Sequence, residues 1–416
     1  ESESESVIKT GSYIGNGSTT GPEITLGWEP QWVMVKNSGG TGTWTMFDAM
    51  RGIPTDGNDG RLNANATDAE VTSANWLDLT PTGFKLKTAY SDSNSNADSY
   101  IYIAIRRSDG YVGKPADAGT DVFAMDVGNG SATIPSHDSG FPVDLAFVKQ
   151  PAGTTDWDTS ARLISGKYIQ TSTTAAEATS TGYTFDSNVG WGSATWLSSG
   201  VQSWMWKRHA GFDVVCYEGD NVHGRAIPHS LSKPAEMIWI KNRSGSWDWI
   251  VGHKGLNGGT NPWEYYLHLN TTGSEGDYKY FNDQAPTSTH FYSFGDEKVN
   301  NSGDDYIAML FASVSGVSSV GSFTGNGSTS GPSVTTGFSP RFVIIKNSSS
   351  SAYWVVFDTL RGINNSGNDS RLKLNETAAA NSLNDWLSVS STGFTLNIDD
   401  SAVNTNNDKY IYYAHA

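Results

Sequence analysis

The sequence contains almost no cysteine. Cys216, in the apolar run FDVVCYEG, is the single cysteine among 416 residues. One thiol cannot form a disulfide within the chain, so a disulfide framework is excluded. Free cysteines behave as small apolar side chains, and we interpret Cys216 as a buried residue of a strand.

Long hydrophobic runs and an excess of positive charge are also absent. No run of 18 apolar residues occurs, so the sequence predicts no membrane insertion. The chain has 27 Lys and Arg against 43 Asp and Glu, for a formal net charge of −16. Binding to nucleic acid of any sequence needs a basic stripe that displaces counterions, and we predict no such partner. The opening ESESES is of low complexity, and we expect residues 1–10 to be a flexible tail or a linker stub.

Glycine and aromatic residues are plentiful instead. The chain has 45 Gly, 15 Trp, 18 Tyr and 16 Phe, and it lacks long Leu/Ala/Glu/Lys runs. Short segments such as VMVKN (33–37) and YIYIAI (100–105) have a period of two and are separated by Gly/Asn/Ser/Asp turns. This pattern predicts short antiparallel strands and an all-β fold.

The chain repeats itself. SYIGNGSTTGP (12–22) returns as SFTGNGSTSGP (322–332), and the first hundred residues align with the last hundred, without a gap, at an offset of 310. Two more divergent copies lie between them. In all four copies a proline precedes an apolar strand ending in lysine, and a tryptophan stands eight residues after that lysine.

We therefore predict four tandem antiparallel β-sandwich modules, jelly-roll-like and arranged in series. The modules are assigned to residues 11–109, 120–209, 210–316 and 317–416, with a flexible linker at 110–119. The repeated tryptophans are expected to be core anchors of their own sandwiches: Trp44, Trp157, Trp249 and Trp354.

The third copy carries a family resemblance most fully. Its segments are AIPHSLSKPAEMIWIKN (226–242), YYLHLNTT (265–272), APTSTHF (285–291) and VNNSGDDYIAMLFASV (299–314). These resemble the tandem repeat of tail-fibre and other virion structural proteins of tailed bacteriophages, especially those of marine bacteria. The second copy departs most from the pattern, because it lacks the APTS segment.

The resemblance implies a β-sandwich module at a virion surface, and hence an extracellular location. It implies other virion proteins as partners, a homo-oligomer in which a trimer is favoured, and attachment to a host-surface glycan. It carries over no catalytic residue, and we predict a non-enzymatic protein. A secreted bacterial carbohydrate-binding adhesin or filament array is the alternative, and a fibre-borne polysaccharide depolymerase is less favoured.

Sugar recognition uses aromatic faces that stack on pyranose rings. Tryptophans outside the repeat pattern are the candidates for ligand stacking: Trp191, Trp196, Trp247 and Trp263. A core position is the competing interpretation for each of them.

No cofactor is predicted, although Ca²⁺ is a weak alternative. The matching loops 91–100 and 397–410 are dense in Asp and Asn, whose oxygens suit Ca²⁺. The candidate ligands are Asp92, Asp98, Asp399 and Asp408. The same residues favour turns through their own hydrogen bonds, which we take as the preferred interpretation. In the matching turns GNDGR and GNDSR, the acid and the arginine could instead pair with each other.

Overall fold

The structure is a computed structural model that describes residues 7–107, 112–130, 135–192, 200–365 and 367–416. It confirms the all-β fold, and every strand pairing within the described residues is antiparallel. Helical structure in these residues is limited to short 3-10 turns. None of the described segments forms a helix that is long and apolar enough to cross a membrane.

Module 1 is a sandwich of two unequal sheets. Its strands are β1 (Ile8–Ile14), β2 (Glu23–Thr25), β3 (Pro30–Asn37), β4 (Thr45–Asp48), β5 (Leu62–Asn63), β6 (Leu77–Thr80), β7 (Gly83–Leu86) and β8 (Ser99–Arg106). The large sheet has the order β1-β8-β3-β4-β5, and the small sheet has the order β2-β7-β6. Because β1 begins at Ile8, the last residues assigned to the N-terminal tail belong to the large sheet instead.

Module 2 follows a divergent version of this plan. Its strands are β9 (Phe123–Val127), β10 (His137–Asp138), β11 (Leu145–Lys149), β12 (Asp158–Ala161), β13 (Lys167–Gln170), β14 (Ala178–Thr179), β15 (Gly190–Trp191) and β16 (Gln202–Trp206). The large sheet has the order β14-β13-β12-β11-β16-β9, and β10 pairs with β15.

Module 3 has the same large sheet. Its strands are β17 (Phe212–Glu218), β18 (Arg225–Pro228), β19 (Met237–Asn242), β20 (Ile250–His253), β21 (Tyr265–His268), β22 (Gly276–Asp277), β23 (His290–Ser293) and β24 (Asp305–Phe311). The large sheet has the order β17-β24-β19-β20-β21-β22, and β18 pairs with β23.

Module 4 repeats module 1 with one additional strand. Its strands are β25 (Ser318–Thr324), β26 (Ser333–Thr335), β27 (Phe342–Asn347), β28 (Val355–Asp358), β29 (Asp369–Lys373), β30 (Asn381–Asn384), β31 (Leu387–Ser390), β32 (Gly393–Leu396) and β33 (Lys409–His415). The large sheet has the order β25-β33-β27-β28-β29-β30, and the small sheet has the order β26-β32-β31.

Each module has an apolar core between its two sheets. In module 4, Val343 and Ile345 of β27 point inward against Phe394 and Leu396 of β32 and are buried with them. Alternate residues of a strand face opposite sides of its sheet, so this core uses one face of each strand. We call the other face of each large sheet its outer face.

The outer faces of modules 2, 3 and 4 form a second, shared core. Phe147 of module 2 stacks on Trp239 of module 3 at 6.1 Å between ring centroids, and Trp239 meets Trp354 of module 4 at 6.3 Å. Phe123 of module 2 closes the circle against Phe342 of module 4 at 5.2 Å. The expected arrangement in series is therefore wrong for these modules, because their large sheets converge on one interior.

Module 1 lies beside this three-module body and is attached by apolar contacts that make its core continuous with the shared core, and by ion pairs and backbone hydrogen bonds. Buried Arg208 contacts both Glu29 of module 1, at 2.7 Å, and Asp213 of module 3, at 2.6 Å. The Thr55 amide donates to the Leu163 carbonyl of module 2 at 2.8 Å. These contacts involve the end of the module 1 sandwich and leave its outer face uncovered. Residues 110 and 111 of the expected flexible linker lie outside the described residues.

Candidate functional surfaces

The repeated tryptophans join modules to one another. Trp157 of module 2 donates its indole N–H to the Lys373 carbonyl of module 4 at 2.8 Å. Trp354 of module 4 donates in the same way to His268 of module 3 at 2.9 Å. Trp249 of module 3 donates to Gln170 of module 2, also at 2.9 Å, and completes the cycle.

The repeated lysines follow the same cycle. Lys149 Nζ donates to the Thr377 carbonyl at 2.9 Å, and Lys346 Nζ donates to the Thr272 carbonyl at 3.2 Å. Lys241 Nζ donates to the Thr174 carbonyl at 3.1 Å. A third contact accompanies each pair, from the amide three residues after the threonine to the carbonyl two residues after the lysine. These bonds run from Glu177 to Arg243, from Glu275 to Ser348 and from Ala380 to Pro151, at 2.7–2.8 Å.

Each module in the ring thus presents two different surfaces. The tryptophan side consists of the tryptophan, the lysine and the carbonyl two residues after the lysine. The threonine side consists of the carbonyl that accepts from the tryptophan, the threonine carbonyl and the amide three residues beyond it. The tryptophan side of one module binds the threonine side of the next, so modules 2, 3 and 4 are related as the subunits of a heterologous three-membered ring.

The buried lysines sit in a weakly solvating environment. Burial lowers the pKa of Lys346 to about 7 and the pKa of Lys241 to about 8. Backbone carbonyls compensate by accepting hydrogen bonds from the ammonium group, which favours the charged form. Lys241 Nζ lies 2.8 Å from the Asn242 carbonyl and 2.9 Å from the Trp247 carbonyl, in addition to its contact with module 2.

The expectation for the four tryptophans therefore needs correction. Trp157, Trp249 and Trp354 are buried, but between modules rather than inside their own sandwiches. Trp44 of module 1 is only half-buried. The signal that could have shown the contact is a threonine that recurs with it: Thr67, Thr272 and Thr377 each stand 23 residues after a repeated tryptophan.

The candidate stacking residues have different outcomes. Trp191 and Trp263 are buried, so neither ring has a face free for a sugar. Trp191 instead donates to Ser203 Oγ at 2.9 Å, and Trp263 packs on Phe281. Trp247 is 39% exposed and keeps an accessible ring. Trp196 lies outside the described residues.

The acidic loops hold themselves together through asparagine. Asp98 accepts from Asn37 Nδ2 at 2.8 Å, and Asp408 accepts from Asn347 Nδ2 at the same distance. Asp92 is buried and accepts from the Thr43 hydroxyl at 2.7 Å, while Asp399 is exposed. Among the described residues, no group of three or more His, Cys, Asp or Glu is placed to hold a metal ion.

The matching GNDGR and GNDSR turns do not pair acid with arginine. Asp369 accepts the Trp386 amide at 2.6 Å and the Leu387 amide at 2.9 Å, at the start of β31. Arg371 lies over the Trp386 ring, with its guanidinium carbon 4.1 Å from the centroid. The acid and the arginine therefore both hold the tryptophan segment, one through its backbone and the other through its ring.

A polar groove of about 520 Å³ separates module 1 from module 3. On its module 1 wall, Lys87 Nζ lies 2.7 Å from Asp56 and 3.4 Å from Asp78. Desolvation, together with the neighbouring Asp56 charge, raises the pKa of Asp78 to about 6. Desolvation also acts on Asp56, but the hydrogen bond and charge of Lys87 outweigh it and lower the pKa of that carboxyl. The further charged residues along the groove are Glu23, Lys85, Glu218, Asp220 and Arg225.

With this geometry in view, comparison with known proteins gives one match. A family model described as a domain of unknown function, DUF7483, matches residues 2–108 and 128–416. The chain belongs to the DUF7483 family. The match includes parts of all four modules, so the DUF7483 assignment covers the three-module ring as well as module 1. No curated protein and no solved structure matches the chain.

Proposed function

We propose that this DUF7483 chain is a non-enzymatic structural protein of a virion surface, either a tail fibre or a fibre-like or decoration component. The proposal rests on one observation, which is that the repeated residues form contacts between modules. In modules 2, 3 and 4, the recurring lysine, tryptophan and threonine join each module to the next. A repeat whose shared residues bind its own neighbours builds a scaffold.

The resemblance of the repeat to virion structural proteins supports the same role. The proposed contribution to host attachment rests on surfaces outside the repeated contacts. The groove between modules 1 and 3 offers carboxylates and cations spaced along an open cleft, which suits the hydroxyl groups of a glycan. Trp247 offers a half-open ring elsewhere on module 3.

Location on particles is the decisive test. Antibodies raised against the chain should label purified phage particles from the source culture in immunogold electron microscopy. Labelling of bacterial surfaces or of secreted filaments, with unlabelled particles, would replace the virion role with the adhesin alternative.

Glycan binding needs its own measurement. On an array of bacterial surface polysaccharides, we expect the chain to bind and the Lys85→Ala, Asp220→Ala double variant of the groove to bind at least tenfold more weakly. Leu383→Ala, at a position that is 74% exposed in module 4, serves as the matched control and should bind as the unmodified chain does. Equal binding by all three proteins would remove the groove from the proposal.

A further inference from the structure

The outer face of module 1 is apolar and has no covering partner among the described residues. Ile8 of β1 is 57% exposed and Ile101 of β8 is 42% exposed. Ile8 pairs with Ile105, four residues along β8 from Ile101 and on the same face of the sheet. Trp32 and Met34 of β3, and the ring of Trp44, are half-buried beside them. Contiguous apolar surface of this kind marks an interaction site in a soluble protein.

The same positions are buried in module 4. At the offset of 310 residues, Ile101 corresponds to Ile411, Trp32 to Phe342 and Met34 to Ile344. Each of these module 4 residues lies in the core shared by modules 2, 3 and 4 and is at most 2% exposed. Module 1 therefore has an outer face as apolar as one that is covered elsewhere in the chain.

Module 1 also carries both surfaces of the ring contact. Its tryptophan side is Trp44, Lys36 and the Ser38 carbonyl. Its threonine side, by correspondence with residues 373, 377 and 380, is the Asn63 carbonyl, the Thr67 carbonyl and the Glu70 amide. Thr67 and Glu70 are exposed, and the Trp44 indole N–H has no acceptor among the described residues.

The tryptophan side of module 1 is already held in the conformation that the ring uses. The Trp44 amide donates to Asn65 Oδ1 at 2.9 Å, as the Trp354 amide does to Asn375 at 3.0 Å. Lys36 Nζ donates to the Asn37 carbonyl, as Lys346 does to Asn347. What module 1 lacks is the carbonyl that a neighbouring module supplies.

We propose that module 1 binds module 1 of two other copies of this chain, and that the three modules close a homotrimeric ring with the contacts that modules 2, 3 and 4 make within one chain. Trp44 then donates to Asn63 of the next copy, Lys36 donates to Thr67, and the Glu70 amide donates to the Ser38 carbonyl. The occupant of the exposed face is a second copy because that copy carries the complementary threonine side.

Closure at three follows from the geometry of the contact. A heterologous contact produces a closed ring when its rotation returns to the start, and otherwise an open filament. Within the chain, three such contacts lead from module 2 to module 4, from module 4 to module 3, and from module 3 back to module 2. This inference does not rest on the virion role, because an extracellular adhesin with this face would form the same trimer.

The mass of the chain in solution is the first test. Light scattering during size-exclusion chromatography should give about 134 kDa, three times the 44.7 kDa of one chain. Ile101→Glu and the double variant Lys36→Glu, Trp44→Ala should elute as folded monomers, with the circular dichroism of the unmodified chain. Leu383→Glu, an exposed aliphatic position away from the face, should remain a trimer. A monomeric or dimeric unmodified chain, or a trimer unaffected by the face variants, would overturn the proposal.

A disulfide placed at the predicted contact tests its register. In a Cys216→Ser background, Ser38→Cys with Glu70→Cys should oxidise to a covalent trimer, because these positions meet through a backbone hydrogen bond in the corresponding contacts. Each single variant should stay uncrosslinked. Ser348→Cys with Glu275→Cys is the corresponding pair inside one chain. Its disulfide should form within that chain, so the mass should stay that of the non-covalent trimer. Absence of the covalent trimer, or a ladder beyond three chains, would contradict the ring.

Discussion

At the scale of the residue, one position of the repeat meets two environments. Trp44 and Trp354 occupy corresponding positions, with matching backbone hydrogen bonds to Asn65 and Asn375. Yet Trp354 is 1% exposed and Trp44 is half-buried, because only Trp354 meets the threonine side of another module in the same chain. The local sequence fixes how the tryptophan is presented, and the neighbouring module determines how far it is buried.

The first prediction concerns that buried ring. Trp354→Ala should lower the free energy of unfolding by about 3–5 kcal/mol, since it removes a large buried ring from the shared core. It also leaves the His268 carbonyl without its donor. Guanidinium denaturation followed by circular dichroism measures the effect. Trp247→Ala, at an exposed ring, is the control and should change stability by about 0.5 kcal/mol or less. Similar losses in both variants would show that Trp354 is not a module anchor.

At the scale of the element, the strands could be predicted from the sequence, but the modules that cover their outer faces could not. The segments MIWIKN and FVIIKN predict strands, because their apolar side chains run up to Lys-Asn and stop there. β19 and β27 begin and end at the same residues as these segments. Apolar residues on both faces also indicate a strand covered on both sides, but nothing in one module says which module covers it. Trp191 and Trp263 illustrate a different limit, because they are buried inside their own modules by contacts with Ser203 and Phe281 that their local sequence does not show.

Strand ends show a second recurring device, a neutral histidine that accepts a hydrogen bond from the amide two residues later. His253 Nδ1 ends β20 by accepting from Gly255 at 2.9 Å, and His209 Nδ1 accepts from Gly211 at 3.1 Å. Burial, with a smaller effect of the Lys254 charge, lowers the pKa of His253 to about 3. Protonation of Nδ1 would remove the acceptor, so the turn depends on the neutral ring.

The second prediction is the resulting pH dependence. Between pH 6.5 and about 3 the unfolded chain binds a proton at His253 that the folded chain does not, so stability falls as the pH falls through this range. Titration of His253 alone should lower the free energy of unfolding by about 2 kcal/mol at pH 5 relative to pH 7.5. His253→Asn keeps an acceptor for the turn but does not titrate. The difference in the free energy of unfolding between the unmodified chain and this variant should therefore shrink by that amount at pH 5. Parallel pH profiles would refute this account, and exposed His223→Asn is the control.

At the scale of the whole molecule, the chain is a ring of three modules with a fourth beside it. Four copies of a repeat suggested beads in series, and the self-similarity correctly indicated the number of sandwiches. Their convergence was not predictable from any one copy, because it depends on a tryptophan side meeting a threonine side far away in the sequence. Trp157 and Lys373, which bond at 2.8 Å, are 216 residues apart.

The third prediction separates a ring from beads in series by removing one module from either end. A chain of residues 112–416 keeps all three ring contacts and should fold with a cooperative thermal transition and resist limited proteolysis. A chain of residues 1–316 loses module 4 and exposes the outer faces of modules 2 and 3, including Trp239 and Phe147. It should aggregate or be digested at the protease concentration that the longer fragment survives, because so large an apolar surface cannot remain in water. Modules in series would tolerate the two deletions equally, since each would keep its own core, and equal resistance of the two fragments would therefore refute the ring.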